Sequence, residues 1–100
     1  MLNTKGAMLV SSRDMEGLPT ILLICDTRSS RTADKYCEMH GFQTTIAHNP
    51  SMGVTQIKGV FPTIPRGGIN PYGGGADVDG LVASLEAVFG DDRFVFIDND

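Results

Sequence analysis

Residues 20–26 read TILLICD, an uninterrupted apolar run from Ile21 to Cys25 closed by an acid. A strand points alternate side chains to opposite faces, so a run that is apolar at every position expects cover on both. That is the signature of a central parallel strand. The next stretch, SSRTADKYCEMHGF (29–42), opens on two good N-caps, Ser29 and Ser30. It places Ala33, Tyr36, Cys37 and His40 on one helical face, and Gly41 suits the left-handed position after the helix. QTTIAHNPSMGVTQIKG (43–59) then reads as a second strand through His48. Asn49-Pro50 comes next as a cap, with proline at the first position of a second, short helix carrying Val54 and Ile57. The order β-α-β-α opens a parallel α/β domain.

Outward from this segment the chain is less regular. Residues 1–19 are weakly patterned. Ala7 to Val10 predicts a short edge strand, and Gly17 and Pro19 break any continuation of it, so 1–19 reads as an N-terminal extension to a single α/β domain over 20–100. The stretch 59–76 holds three prolines and six glycines. Val60 to Ile64 predicts a broken third strand, and the remainder a loop long enough to be functional. Asp77 or Asp79 caps a third helix with Leu81, Val82, Leu85, Val88 and Phe89 on its apolar face. Gly90 ends it, and Arg93 to Ile97 predicts a fourth strand reached by a parallel crossover.

One hundred residues make one domain of ordinary composition, 41% hydrophobic and 20% charged. No apolar run approaches the roughly 18 residues of a membrane span, and the first residues make a poor signal peptide, so the expected compartment is cytoplasmic. Residues 1–66 hold seven Lys/Arg against five Asp/Glu, and residues 67–100 hold one against seven. Without a basic stripe, nucleic acid is not an expected partner. Cys25 and Cys37 form no CxxC pair and show no zinc spacing, which reads as two buried thiols. His40 and His48 have no second ligand at metal spacing.

The segments ILLICD with Arg31, GFQTTIAHNPSMGVTQIKG and VDGLVASLEAVFGDDRFVFID, in that order over residues 20–98, resemble a response-regulator receiver domain. The resemblance implies a small three-layer sandwich with a mainly parallel, flavodoxin-like sheet, and Mg²⁺-assisted phosphorylation of an aspartate. The residues for that chemistry are largely missing. Cys25 stands where the first metal-binding acid belongs, leaving Asp26 alone. The third-strand aspartate position falls near Thr63, the fourth-strand hydroxyl position is Asp98, and no fifth strand with its lysine follows within the chain. The resemblance is therefore to a degenerate, pseudo-receiver scaffold with no catalytic residues, no resident metal and no required cofactor. At most it keeps a remnant acid or phosphate pocket of Asp26, Thr63 and Asp98 that could take Mg²⁺.

A second resemblance competes. GVFPTIP (59–65) is similar to the cis-proline segment of thioredoxins and glutaredoxins, and GGADVDGLVASL (74–85) to the glutaredoxin turn into its last helix. The redox CxxC would fall at TRSS (27–30), where there is no cysteine and so no thiolate nucleophile. A strand between those of 21–26 and 93–98 would mark the receiver sheet, and an antiparallel hairpin after Pro62 the thioredoxin sheet.

Both resemblances lose their chemistry, so the expected function is contact with another protein. The expected surfaces are the acidic last third and a contact loop of Arg66, Tyr72, Gly73, Gly74 and Gly75. Tyr72 there is a candidate exposed anchor. An open sheet edge could also pair with a second copy.

Overall fold

Two hairpins and two helical crossovers build one five-stranded sheet. The computed structural model describes residues 6–62 and 76–99. Strand β1 (Ala7–Arg13) turns back into β2 (Pro19–Asp26). A 3-10 turn at Thr27–Ser29 leads into α1 (Ser30–Met39), followed by β3 (Gln43–Asn49) and β4 (Val54–Val60). Helix α2 (Val78–Phe89) then feeds β5 (Phe94–Asp98). The strand order is β3-β4-β2-β1-β5. The pairs β1–β2, β2–β4 and β3–β4 are antiparallel, and β1–β5 is parallel.

This corrects the expected fold. The sheet is mainly antiparallel rather than mainly parallel, so neither the flavodoxin/receiver architecture nor its three layers applies. A strand does lie between β2 and β5, but it is β1, from the N-terminal stretch, and it runs antiparallel to β2. The thioredoxin alternative fails as well. Strands β2 and β3 are separated by β4, and among the described residues both hairpins precede Pro62 while one helix and one strand follow it.

The physical reasons lie in two turns. At Asp14–Leu18, the Asp14 carboxylate accepts the backbone N–H groups of Glu16 and Leu18 at 2.8 and 2.9 Å, and Gly17 takes φ +83°. This turn closes a hairpin, so Ala7 to Val10 belongs to an interior strand, not an edge, with Leu9 fully buried. At Asn49–Gly53, Gly53 takes φ +69° and the backbone N–H of Met52 bonds the carbonyl of Asn49. The expected second helix is thereby a turn followed by β4. Thr55, Ile57 and Gly59 are buried while Gln56, Lys58 and Val60 are exposed, a period of two that no helix produces.

The other expectations correspond more closely. Helix α1 follows Ser29, as expected in place, but neither serine caps it as expected: the Ser29 side chain makes no capping bond, and Ser30 lies within the helix, its hydroxyl donating to the Thr27 carbonyl. His40 and Gly41 end it. Asp77 is the N-cap of α2, its side chain accepting the N–H of Gly80 at 2.9 Å, and Gly90 ends that helix at φ +89°.

Both helices lie on the same face of the sheet. One cluster holds Ala7 and Leu9 of β1, Ile21, Leu23 and Cys25 of β2, Ile57 of β4 and Phe94 of β5. Ala33 and Cys37 of α1, Leu81, Leu85 and Phe89 of α2, and Phe42 complete it. Gly59 is part of this fit: a Cβ there would stand 2.8 Å from Ile21 Cγ1 and 3.1 Å from Phe42 Cβ. The helices are tied to each other where α1 ends and α2 begins. His40 Nδ1 lies 3.5 Å from Asp77 Oδ2, His40 Nε2 3.1 Å from Ser84 Oγ, and the Asp77 N–H donates to the His40 carbonyl at 3.0 Å. Among the described residues, no helix is long and apolar enough to cross a membrane.

Candidate functional site

The register that stacks Leu9, Leu23 and Ile57 beneath the helices sends their neighbours to the other side. Met8 pairs with Ile24 and Val95, and Val10 pairs with Leu22 and Ile97. These six apolar side chains form two adjacent rows across β5, β1 and β2. None belongs to the core cluster or to the partly buried hydrophobics packed against it. Val95 is 55% exposed and Ile97 38%. Among the described residues, no helix or strand covers this face. On its other half the same side carries Gln56 and Lys58 of β4, opposite Ile24 and Leu22.

Asp26 stands at one end of this open face, on the side of β2 shared by Leu22 and Ile24. It lines a cleft of about 330 Å³ with Met8, Ile24, Val54, Val95, Asp92 and Arg93. Although it precedes the 3-10 turn, its carboxylate makes no capping bond. Its Oδ1 is buried with no hydrogen-bond partner. Orphaned buried acceptors are rare because each loses its hydration without replacement.

The residues expected to form a remnant acid pocket are not all brought together. Asp26 lies beyond the start of β1, since Cys25 pairs with Ala7, whereas Asp98 pairs with Ser11 near its end. That offset is roughly 16 Å along the strands. Asp98 also points to the helix side, where it accepts a hydrogen bond from Ser11 Oγ at 3.1 Å. It lines a separate cleft of about 290 Å³ with Arg13, Asp77 and Asp79. Thr63 lies outside the described residues, as do Arg66, Tyr72, Gly73, Gly74 and Gly75 of the expected contact loop and the last two residues of the expected strand at 60–64, whose first residue, Val60, instead ends β4.

Two further arrangements have the elements of chemistry. His48 Nδ1 is hydrogen-bonded to Thr55 Oγ1 at 2.8 Å, and Thr55 donates to Thr27 Oγ1 at 3.1 Å. Because Thr55 gives its one hydroxyl proton to Thr27, His48 Nδ1 donates to it rather than drawing its proton, and Thr55 is completely buried, so this is not an activated nucleophile. Thr27 and His48, without Thr55, border a cleft of about 610 Å³ at the start of α1, lined also by Arg28, Arg31 and Asp34. The two thiols are free and buried. Burial pushes both up to about 12, with the charge of Asp26 adding to the effect at Cys25 and that of Asp34 at Cys37. At neutral pH neither is a thiolate, the form needed for exchange or metal binding. Among the described residues, no group of three or more His, Cys, Asp or Glu side chains is placed to hold a metal ion.

Sequence reading misses the open face. The signal for it is the unbroken apolar character of Ile21–Cys25, Ala7–Val10 and Phe94–Ile97, which demands two buried sides where the described residues cover one. In comparisons with protein families, curated proteins and solved structures, this chain matches none.

Proposed function

We propose that this chain is a non-catalytic protein-interaction module, and that the open face of its sheet is the contact surface. One observation carries the reading. The row pairs Met8–Ile24–Val95 and Val10–Leu22–Ile97 are apolar on the side away from both helices. A contiguous apolar face of this kind on a folded domain is characteristic of a docking site. The partly exposed Asp26 carboxylate adds an acidic group at its margin.

A photo-crosslinker in place of Val95, on the open face, tests this against one in place of Glu86, exposed on α2. The expected result is a covalent adduct to a second polypeptide from position 95 and little or none from position 86. Equal yields from both positions, or adducts only within the same chain, including to residues 63–75, overturn the reading.

A further inference from the structure

We infer that the occupant of the open face is a second copy of this chain, packed sheet against sheet about a two-fold axis. The inference rests on the docking role proposed above and adds the identity of the partner. Three observations point to it: the extent of the face, the symmetry of its pattern, and its charges.

Five strands about 4.8 Å apart and about seven residues long at 3.3 Å each present roughly 24 by 23 Å. That is about 550 Å² in projection, and side-chain relief raises the accessible area toward the roughly 800 Å² per partner of a standard interface. A short peptide or a single side chain leaves most of it open, while a second sheet at the usual spacing of about 10 Å covers it.

An isologous interface requires a patch that matches itself. A two-fold axis lying between the sheets and crossing the strands at Ile24 meets that requirement. It sets each strand antiparallel over its own counterpart, so the apolar half on β5, β1 and β2 meets apolar, and the polar half meets polar. It also exchanges the level of Asp26 with the level two residues before Ile24. At that level, beside Leu22, stands Lys58 on the adjoining strand. Each Asp26 carboxylate thus comes within reach of Lys58 from the other copy, twice by symmetry. Within one chain, the described residues give neither group an ion pair. The opposing charges fix the register of the two sheets, which the apolar rows alone leave free to slide.

The β5 edge is a poorer route to the same end: the strand has only five residues and ends at Asp98, and short charged edges disfavour pairing.

Sedimentation of the full chain from nanomolar to high micromolar concentration tests the inference. The expected result is a monomer–dimer equilibrium that Val95→Lys abolishes. Asp26→Lys and Lys58→Asp should each weaken dimerisation about tenfold or more, and the double exchange should restore it to within a few-fold. A wild-type chain that stays monomeric overturns the inference, as does a dimer indifferent to Val95→Lys or a double exchange that restores nothing. If a variant fails to fold, a mixed isotope-labelled sample of wild type decides. Contacts between Met8 and Ile24 methyls of different copies are expected, and their absence in a dimer places the interface elsewhere. A monomer that still cross-links from position 95 to another protein removes only the second copy. A monomer without such adducts removes the docking role too.

Discussion

The two faces of the sheet are built from the same kinds of residue and meet opposite fates. On one, Leu9, Leu23 and Ile57 are fully buried beneath α1 and α2. On the other, Val10, Leu22 and Ile24 are flanked by Val95 and Ile97, both well exposed. The difference does not come from the strands, whose apolar content is nearly even on both sides. It comes from connectivity: the helices of both crossovers, α1 between β2 and β3 and α2 between β4 and β5, pack on the same face. An apolar run therefore states what a strand needs on each side without saying whether its own chain will supply it.

The largest expected effect separates the faces directly. Leu23→Ala empties a completely buried position and should cost about 2–5 kcal/mol of stability. Leu22→Ala, one residue away on the open side, should cost well under half of that when urea unfolding is followed at low protein concentration. Equal costs would mean that the chain covers its own open face. A smaller loss is expected from Gly59→Ala. Its new methyl meets Ile21 and Phe42 at close to 3 Å, an overpacking that should cost about 1–3 kcal/mol in the same assay. Adding a methyl at Ala47, exposed on β3, should cost far less.

The comparison also explains which parts of the fold are legible in the sequence. Helices α1 and α2 and strands β2, β3 and β5 carry their own local signals, caps and periodicity, and these mark bounds close to the true ones. Pairing direction has no local signal. Continuous apolar character in Ile21–Cys25 implies helices on both sides and hence parallel neighbours, whereas among the described residues the run meets helices on one side only. The hairpin at Asn49–Gly53 is hidden because Asn-Pro opens a turn as readily as a helix, and Gly53 acts as a left-handed residue rather than a weak helical one. For the site, Asp26 stands out in the sequence. Its separation from Asp98 depends on β1 lying between β2 and β5, which only the pairing reveals.

The thiols extend the contrast to pH. Cys25 and Cys37 sit on the covered side and are pushed up from 9.0 to about 12 in the folded chain. Above pH 9 the unfolded chain loses these protons while the folded one keeps them, so folding stability is intact below pH 9 and declines from there toward pH 12. Each thiol contributes a slope of up to about 1.4 kcal/mol per pH unit in that window. Urea midpoints for the wild type against Cys25→Ala/Cys37→Ala should show a steeper alkaline decline in the wild type. In native buffer near neutrality, alkylating reagent should modify neither thiol until the chain is unfolded. Rapid modification of the folded protein would place at least one thiol outside the covered face.

The smallest effect compares two aspartates in equivalent local positions. Asp77 and Asp26 each precede a helical turn, but Asp77 accepts the Gly80 N–H and lies near His40, whereas Asp26 caps nothing and holds a buried oxygen without a partner. Asp77→Ala should therefore cost about 1 kcal/mol, the usual value of a lost N-cap. Asp26→Ala should be neutral or slightly stabilising in the monomer, because it removes an unsatisfied acceptor rather than a bond. The same substitution should weaken association at high concentration, where the carboxylate meets its donor. If Asp26→Ala instead destabilises the dilute monomer as much as Asp77→Ala does, the carboxylate serves the chain's own fold, and its place at the rim of the open face has no bearing on docking.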